Sequence, residues 1–526
     1  MTRAAVTLLL VLPLLLGNAT TALEDATIKP DSTITTSLLN YRENDVFKKR
    51  LNLPPSSGLT IIVTDASAFS FIVLQVHTYQ YNATLAYDET LLDKVSEGSL
   101  FGSNIGLYLK TRNVTGPMQV FLKHYNVHKL DALLVIVPYG LNAPIPGGCN
   151  MEFEIEIAPY QKLRVENEMI IVDAQPAAAL AANGSTISCN KNPVQHRMYR
   201  LHLSMQDFNP ETYFDAIASM LTVRDVARNG TEISPAPSIS AMRRIYSMYA
   251  GTGFVYAVVA TYGNYSSAYV PTFSYGCSPV LYPKSCQVLN GTFSMVLCAI
   301  VLFIGFLSVV IGHKPKHACA DRLLSDCAFG GFVGYTFAVA VGVSGTTISI
   351  LIGLLLAIFT MCVSPCVRVL GLKKPLFLLL CNLPLAFLCG CIAYLFAPAG
   401  MYYVLQYDWS FWTIFVSLVL ALAMLLMITF QVAEIIARAV FGSFLLIIAL
   451  DYYTNTNLKY IIITMIRRIT IPKFCSAFVY PPIQGEDLTL ICIWIVLILL
   501  RFFRICRAQV SKPFSSVTGE TQALLG

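Results

Sequence analysis

The stretch NGTFSMVLCAIVLFIGFLSVVIG, Asn290–Gly312, separates two halves of the chain that differ in chemistry. It opens with the last N-glycosylation sequon, and the apolar run Phe293–Gly312 has the length of about 20 residues that crosses a bilayer. The residues before it alternate like β-strands and contain sequons, whereas the residues after it form further apolar runs without any. The sequence therefore predicts an ectodomain followed by a helical membrane bundle.

The composition is that of a membrane protein. Of 526 residues, 55% are hydrophobic and 13% are charged, whereas an ordinary soluble domain carries about a quarter charged residues. The net charge is only +6, and the sequence has no basic arm and no interleaving of basic and aromatic residues. We therefore expect the membrane as a partner and no nucleic acid.

The first residues are typical of a secretory signal peptide. Arg3 precedes the apolar run Ala4–Leu16, and small residues follow it, with cleavage expected near Ala19 or Ala22. The run is shorter than the about 20 residues of a membrane span. We predict a signal peptide at residues 1–22 and a mature N-terminus that is extracellular or lumenal.

The sequons mark the residues that we expect to carry glycans. Asn290 lies almost against the first apolar run, so we expect it to be used poorly or not at all. The predicted glycosylation sites are Asn82, Asn113, Asn183, Asn229 and Asn264.

The ectodomain is predicted to be β-rich and sandwich-like. Phe69–Tyr79 and Ala132–Val137 are rich in β-branched and aromatic residues, and Met151–Ile157 alternates between apolar residues and glutamates. We interpret the glutamates as the solvated face of a strand rather than a cation site. Asn209–Leu221 has a cap, a proline in its first turn and helical apolar spacing, so it predicts a helix.

An Ala-, Asn- and Gly-rich stretch, Ala174–Ser188, interrupts the strands and is interpreted as a linker. The predicted domains are the signal peptide at 1–22, a first β-rich module at 23–173, the linker at 174–194, a second β-rich module with one helix at 195–290, the transmembrane domain at 291–507 and a cytosolic tail at 508–526.

Four cysteines precede the first span, and an even number in an oxidising compartment indicates two disulfides. Cys277 and Cys286 are close enough in sequence to close a small loop, which would leave Cys149 with Cys189. Three pairings are possible, and the sequence does not choose between them.

Seven apolar segments predict seven spans, which would place the C-terminus in the cytosol. Arg501 is expected to reach the headgroups and extend the last, short span. The third lumenal loop contains several basic residues, and its stretch Leu458–Ile471 is expected to lie on the membrane surface as an amphipathic helix. The predicted spans are Phe293–Gly312, Ala328–Val343, Ile348–Val363, Leu376–Ala397, Trp409–Phe430, Val432–Leu450 and Leu488–Leu500.

Within the spans, small residues recur every four positions and predict close helix packing, with a pore or substrate path between the second and third spans as the alternative. Glu434 and Arg438 are one helical turn apart and are predicted to form an intramembrane ion pair. The predicted packing residues are Gly330, Gly334, Ala338 and Gly342.

Two features beyond the last predicted span are candidate membrane-attachment or sorting signals. Cys506 lies among arginines just beyond the last span, where palmitoylation is a candidate modification. Glu520, Leu524 and Leu525 match the acidic dileucine pattern that clathrin adaptors bind. We therefore expect cycling from the plasma membrane to endosomes and lysosomes.

An enzymatic function is not expected. All seven histidines lie outside the predicted spans, and the sequence lacks intramembrane aspartyl-protease signatures. His124 and His128 are four residues apart, but the glutamate of a zinc-protease helix is missing between them. We predict no catalytic residues, no cofactor and no metal site.

The chain resembles the transmembrane 7 superfamily member 3 family over nearly its whole length. The most specific points are Pro144–Phe153, Ala268–Cys286, Gly442–Tyr453 and the Leu-Leu terminus. The resemblance implies a signal peptide, a large glycosylated ectodomain and seven spans, with no settled ligand or catalytic activity and an association with cell survival and relief of unfolded-protein stress. The resulting expectation is a non-enzymatic glycoprotein whose ectodomain binds a protein or lipid, with a transporter or channel as the alternative.

Overall fold

A computed structural model describes residues 25–27, 32–92, 98–112, 114, 116–180, 187–191, 193–235, 240–369 and 374–510. The predicted signal peptide, two of the sequons and the sorting signal lie outside these residues. The predicted site residues that lie outside are Asn113, Asn183, Glu520, Leu524 and Leu525.

The first domain is a sandwich of two five-stranded sheets. Its central strands are buried because their residues are almost all β-branched or apolar, as in FIVLQVHT and LDALLVIVPY. One sheet contains, in spatial order, β1 (Asp25–Thr27), β3 (Phe47–Leu53), β10 (Leu130–Tyr139), β5 (Phe71–Thr78) and β8 (Asn104–Lys110). The other contains β2 (Ser32–Ser37), β4 (Gly58–Thr64), β9 (Met118–Lys123), β6 (Ala83–Ala86) and β7 (Ser99–Gly102).

The second domain is also built from two sheets and carries two helices. The predicted helix is confirmed as α1, with Asn209 accepting a hydrogen bond from the Glu211 amide and Pro210 in the first turn. One sheet contains β11 (Gln161–Glu166), β12 (Met169–Ala174) and β15 (Arg243–Ser247). The other contains β14 (Thr231–Ile233), β13 (Gln195–Met205), β16 (Thr252–Tyr262) and β17 (Tyr265–Ala268), with β18 (Thr272–Ser274) also paired to β16. The helices are α1 (Pro210–Ala218) and α2 (Val223–Asn229).

Helix α1 joins the two sandwiches. The Tyr213 hydroxyl donates to the Thr78 carbonyl at 3.0 Å, and Glu211 accepts two hydrogen bonds from Arg50 at 2.8 and 3.1 Å. One apolar core cluster contains residues of both sandwiches.

Burial lowers the pKa of His77 on β5 to about 4, because desolvation disfavours the charged ring.

The predicted strand Met151–Ile157 was wrong. The segment is a series of bends, and Met151 is 88% exposed although it was assigned to the apolar face. The Asn150 side chain accepts hydrogen bonds from the amides of Glu152 and Phe153 at 3.1 and 2.9 Å and donates to the Phe153 carbonyl. These local hydrogen bonds use backbone groups that a strand would need for pairing.

The predicted linker was also wrong for its described part. Ala177, Ala178 and Ala179 are almost completely buried, and Ala178 forms a bridge with Ile145. Because β12 ends at Ala174 and pairs with β15, the predicted module boundary at residue 173 cuts through the second domain. Alanines serve here as small core residues, which composition alone does not distinguish from a linker.

The membrane domain is built from long apolar helices. Six are long and apolar enough to cross a bilayer among the described residues, and the apolar part described for α6, Cys381–Leu395, is shorter. Seven spans are therefore not confirmed. The helices are α3 (Thr292–Ile311), α4 (Ala318–Ala340), α5 (Thr346–Val369), α6 (Lys374–Leu395), α7 (Tyr402–Leu405), α8 (Asp408–Ile428), α9 (Phe430–Thr454), α10 (Tyr460–Thr470) and α11 (Gly485–Val510).

Two helices are longer than predicted because charged residues interrupt the apolar runs on which the predicted spans depend. Helix α4 begins at Ala318 rather than Ala328, and α11 continues past Leu500 to Val510. Both extensions contain charged residues, Asp321 and Arg501, which form an ion pair with each other. Arg501 is 1% exposed, so its predicted role of reaching the headgroups was wrong.

Candidate functional site: the junction between ectodomain and membrane helices

The segment between α9 and α11 connects the second sandwich to the membrane helices. Its helix α10 is amphipathic, with apolar residues at helical spacing and two arginines in the last turn, where the helix dipole favours cations. Both arginines, Arg467 and Arg468, are buried. The predicted amphipathic helix is therefore present, but it is packed between protein elements rather than exposed along a surface.

Arg467 is held by the second sandwich. Its Nη1 donates to the Met248 carbonyl at 2.6 Å and to the Ser247 hydroxyl at 3.1 Å, and its Nε contacts a Glu168 carboxylate oxygen at 2.5 Å. The arginine side chain is 4% exposed and the glutamate side chain 53% exposed. Most of the stabilisation by this contact therefore comes from the neutral acceptors, of which the Ser247 hydroxyl is buried and the Met248 carbonyl partly buried, rather than from the ion pair.

Arg468 makes its contacts within the membrane domain. Its Nη2 contacts an Asp408 carboxylate oxygen at 2.7 Å and the Leu405 carbonyl at 3.2 Å, and its guanidinium lies 4.5 Å from the Phe411 ring centre. Adjacent positions on an α-helix point in directions about 100° apart. Helix α10 therefore holds the ectodomain through Arg467 and the start of α8 through Arg468.

Aromatic side chains fill the space between α10 and the second sandwich. Tyr460 packs edge-to-face on Tyr249 with ring centres 4.6 Å apart, and its hydroxyl accepts from the Ala250 amide at 3.2 Å. Edge-to-face pairs add about 0.5–1.5 kcal/mol beyond the area that they bury. Tyr249 in turn donates to the Val479 carbonyl, farther along the connector.

The connector also contacts both sheets of the second sandwich, one through its backbone and the other through a side chain. Phe478 forms a parallel bridge beside β15, where its amide donates to the Ile245 carbonyl at 2.8 Å and its carbonyl accepts from the Ser247 amide at 2.9 Å. The side-chain amide of Gln484 accepts from the Met205 amide on β13 at 2.9 Å and donates to the Leu203 carbonyl at 3.1 Å. The backbone pairing of Phe478 fixes the register of the connector against β15, and Gln484 adds a side-chain contact to β13.

A buried arginine of the second sandwich completes the junction. Arg200 on β13 donates to the Tyr480 carbonyl at 3.2 Å, and its guanidinium lies 4.8 Å from the Phe254 ring centre and 5.0 Å from that of Phe478. A guanidinium between two rings is stabilised by cation–π attraction in addition to hydrogen bonding. The sandwich and the connector therefore share one polar and aromatic core.

Two aspartates hold the ends of the connector. Asp451, near the end of α9, is fully buried and accepts from the amides of Leu458 and Lys459 at 2.7 and 3.0 Å. Asp487, in the first turn of α11, accepts from the Asn457 amide at 2.7 Å. Burial lowers the pKa of Lys459, an effect that the nearby Asp451 opposes.

A second polar cluster lies at the opposite ends of the same helices. Asp321 on α4 contacts Arg501 on α11 at 3.0 Å and Arg438 on α9 at 3.6 Å, and all three are buried. Ser308 on α3 donates to Asp321 at 2.7 Å and accepts from Arg501 at 2.9 Å. Arg438 also donates to the Gly312 carbonyl at 2.7 Å.

Glycine provides the space that this cluster needs. A Cβ at Gly442 would lie 1.6 Å from an Arg501 guanidinium nitrogen and 2.4 Å from the Ser308 hydroxyl. A Cβ at Gly305 would lie 2.6 Å from the backbone nitrogen of Leu446 on the facing helix. These two positions exclude larger side chains because other groups already occupy the volume.

The predicted ion pair between Glu434 and Arg438 was wrong. Among the described ion pairs, Glu434 contacts Arg322, while Arg438 contacts Asp321. Sequence spacing placed the two residues on one face of α9, but both partners come from α4 because the packing of the two helices brings opposite charges closer there.

The predicted packing residues fall into two groups. Gly330, Gly334 and Ala338 are buried on α4, and a Cβ at Gly334 would lie 3.0 Å from the Cα of Gly353 on α5. Gly342 does not pack: it follows the helix, is exposed, has a φ of +83° and has open space around its Cβ position. Its role is that of a left-handed residue beyond the helix end.

The structure contains both disulfides, Cys149–Cys189 and Cys277–Cys286, with Cα–Cα distances of 5.7 and 5.1 Å. The three described glycosylation candidates are all exposed, and Cys506 is half-buried on α11. Among the described residues, no group of three or more His, Cys, Asp or Glu side chains could hold a metal ion. The exposed candidates are Asn82, Asn229 and Asn264.

The sequence alone does not reveal most of the junction. Its clearest signal was the excess of basic residues, including Arg467 and Arg468, in a loop assigned to the lumenal side, where the positive-inside rule does not expect them. Burial against Glu168 and Asp408 explains that exception. Asp321 precedes the apolar run that predicted the second span, so the sequence pattern does not assign it to a helix.

Three family models match successive parts of the chain. A TM7SF3-like N-terminal immunoglobulin-like domain matches residues 39–139, a TM7SF3-like second immunoglobulin-like domain matches residues 144–280, and a TM7S3/TM198-like domain matches residues 298–504. The two immunoglobulin-like matches meet ahead of the predicted linker, in agreement with the sheets described above.

Curated relatives cover most of the chain. Transmembrane 7 superfamily member 3 of Homo sapiens is 24% identical over 465 residues, which is 85% of this chain and 80% of the relative. The protein of the same name from Rattus norvegicus is 24% identical over 444 residues, which is 82% of this chain and 77% of the relative.

Proposed function

Because the chain belongs to the transmembrane 7 superfamily member 3 family, we propose that it is a non-enzymatic, multi-pass membrane protein whose extracellular immunoglobulin-like domains bind a protein or lipid and whose helices pass the binding event across the membrane. The observation that carries the proposal is the burial of Arg467, on the connector between two membrane helices, in the second immunoglobulin-like domain. A passive anchor needs only a flexible tether at this place.

Helices α9 and α11 both run from the polar contacts of the connector to the polar cluster around Asp321, and they give the proposed coupling a physical route. On α9, Asp451 and Arg438 are 13 residues apart (451 − 438), and on α11, Asp487 and Arg501 are 14 apart (501 − 487), or about 20 Å along either helix. Midway, the Trp494 indole donates to Ser443 at 3.2 Å and ties the helices together. A movement of the docked domain would therefore act on both helices and on the distant cluster.

A transporter or channel between the glycine-rich helices is the less favoured function. Gly334 on α4 approaches the backbone of Gly353 on α5, so the small residues are used for helix contact at this point. Thr360 on α5 also donates to the Asp326 carbonyl on α4 at 3.2 Å. These contacts support close packing rather than a path between the two helices.

The topology and traffic proposals accompany this function. We propose a cleaved signal peptide at residues 1–22, glycans at the five ectodomain sequons, a cytosolic tail and palmitoylation at Cys506. The dileucine signal would bind clathrin adaptors and direct the protein from the plasma membrane to endosomes and lysosomes. The family that the chain resembles is associated with cell survival and relief of unfolded-protein stress, so survival of stressed cells is the cellular property to measure. The sorting residues are Glu520, Leu524 and Leu525.

Proximity labelling tests the binding half of the proposal. A peroxidase placed directly behind the signal peptide would label neighbours of the ectodomain on living cells, and the recovered proteins and lipids would be tested against an immobilised fragment of residues 23–290. We expect at least one neighbour to bind the fragment. If no labelled neighbour binds it, the ectodomain has no binding role of this kind and the proposal fails.

A further inference from the structure

The second immunoglobulin-like domain ends in a small loop closed by the disulfide between Cys277 and Cys286. The loop is compact: the Tyr282 amide donates to the Ser278 carbonyl at 2.9 Å, and the Ser285 amide donates to the Tyr282 carbonyl at 2.8 Å. The Ser285 hydroxyl also donates to that same carbonyl at 2.6 Å. The tip of the loop, residues 280–282, is therefore held in one shape.

The tip presents apolar side chains to the outside. Val280, Leu281 and Tyr282 are 47%, 65% and 71% exposed. In the described part of the ectodomain, this is the one place where three consecutive large apolar residues are all exposed. Single exposed apolar residues are ordinary on protein surfaces, but a rigid run of three requires an explanation.

The base of the loop lies at the start of the first membrane helix. The Asn290 side chain donates to the Lys284 carbonyl, and α3 begins two residues later at Thr292. Leu281 is three residues from Lys284, so the tip lies within about 10 Å of that contact. The Leu289 carbonyl also accepts from the Tyr452 hydroxyl near the end of α9, where aromatic residues are typical of the membrane interface.

The loop is followed directly in sequence by exposed apolar residues of the first membrane helix. Phe293, Met295 and Val296, in the first turns of α3, are exposed as lipid-facing residues of a span are. Lys284, which is also exposed, adds a positive charge beside the tyrosine of the tip. An apolar tip with a tyrosine and a lysine at its edge matches the boundary between lipid headgroups and acyl chains.

We propose that the loop 277–286 inserts its tip into the outer surface of the bilayer. The occupant is the lipid surface, which Val280 and Leu281 enter while Tyr282 and Lys284 remain among the headgroups. The disulfide keeps the tip together, and the contact sets the orientation of the second immunoglobulin-like domain relative to the membrane. This inference does not depend on the proposed binding function.

Site-specific photo-crosslinking tests the proposal in the full-length protein in cell membranes. Benzoylphenylalanine would replace Leu281 or Tyr282 in separate variants, in cells fed a clickable fatty acid. The matched control is Val127, an apolar residue of the first immunoglobulin-like domain that is 76% exposed. Because all three positions are exposed, the substitutions leave the cores intact, and limited proteolysis of each variant would verify the fold.

We expect a lipid adduct at positions 281 and 282 and only a background signal at the control position 127. Introducing Leu281→Glu beside the probe at position 282 should reduce the lipid adduct, because a carboxylate opposes insertion. A protein adduct at position 281 without lipid would overturn the proposal in favour of a protein-binding loop. No adduct of either kind would overturn it as well, since the tip would then face water.

Discussion

Replacing Arg467 by alanine should loosen the junction without unfolding either domain. The substitution leaves the partly buried carbonyl of Met248 and the buried hydroxyl of Ser247 without the donor that Arg467 supplies. An unsatisfied buried group costs about 1–3 kcal/mol, and the ion pair to the half-exposed Glu168 adds at most about 1 kcal/mol. The expected loss of docking free energy is therefore about 2–4 kcal/mol.

Hydrogen exchange on the full-length protein in nanodiscs measures this loss at the place where it should occur. The Phe478 and Ser247 amides are bonded across the junction, to the Ile245 and Phe478 carbonyls respectively. If local undocking limits their exchange, a cost of 2–4 kcal/mol should accelerate it by about 30-fold to 1,000-fold. Amides within β5, in the first domain, should exchange at the unchanged rate.

Arg164 provides the matched control. It lies on β11 of the same domain, is 51% exposed and pairs with Asp173 at 2.8 Å. Exposed ion pairs contribute about 0–1 kcal/mol, so Arg164→Ala should accelerate exchange at Phe478 by less than about fivefold. Equal acceleration by Arg467→Ala and Arg164→Ala would refute the reasoning, because burial at the junction would then have no energetic consequence.

Three further outcomes are expected. Gly334→Ala should lower the free energy of unfolding of the membrane domain by about 1–3 kcal/mol, because the added Cβ would lie 2.8 Å from a side chain of the facing helix. Gly331→Ala is the control and should be tolerated, because its nearest contact would be at 3.5 Å. Equal melting temperatures of the two variants would contradict the packing. Because the pKa of His77 is lowered to about 4 in the fold, its contribution to stability is complete above about pH 6.5 and falls as the pH drops towards 4. Denaturant unfolding at pH 5 should show a loss of about 2 kcal/mol in the free energy of unfolding, and His77→Gln should remove that loss. A pH dependence that His77→Gln leaves unchanged would contradict the assignment to His77. Replacing Leu524 and Leu525 together by alanine should raise the surface pool measured by biotinylation and deplete the lysosomal pool, and an unaltered distribution would show that the tail is not a sorting signal.

The features that the sequence predicted are those carried by local pattern. Each of these features depends on residues that are neighbours in sequence. They are the boundary between ectodomain and membrane helices at Asn290, the buried strands at Phe69–Tyr79 and Ala132–Val137, and the capped helix after Asn209. The alternating stretch Met151–Ile157 had an equally clear pattern, and it failed because one adjacent side chain, Asn150, captured the backbone amides.

The candidate site depends on partners that are distant in sequence. Periodicity assigns Arg501 and Glu434 to helix faces, but the partner that each residue meets is decided by how whole helices rotate and pack. Arg467 lies 299 positions from Glu168, so no spacing rule could have joined them. The sequence indicated an exception to charge asymmetry in that loop, and only the fold supplied its cause.

The alkylation rate of Cys319 tests most directly whether the ectodomain and the distant cluster are coupled. Cys319 is exposed in the first turn of α4, two residues before Asp321, at the end of the bundle opposite the junction. In membrane vesicles treated with N-ethylmaleimide, mass spectrometry would follow this thiol in the wild type, Arg467→Ala and Arg164→Ala. Coupling energies of about 1–3 kcal/mol predict a change of about fivefold or more for Arg467→Ala and none for Arg164→Ala. Identical Cys319 rates in all three proteins, with the junction demonstrably loosened, would contradict the coupling and leave the helices as an anchor.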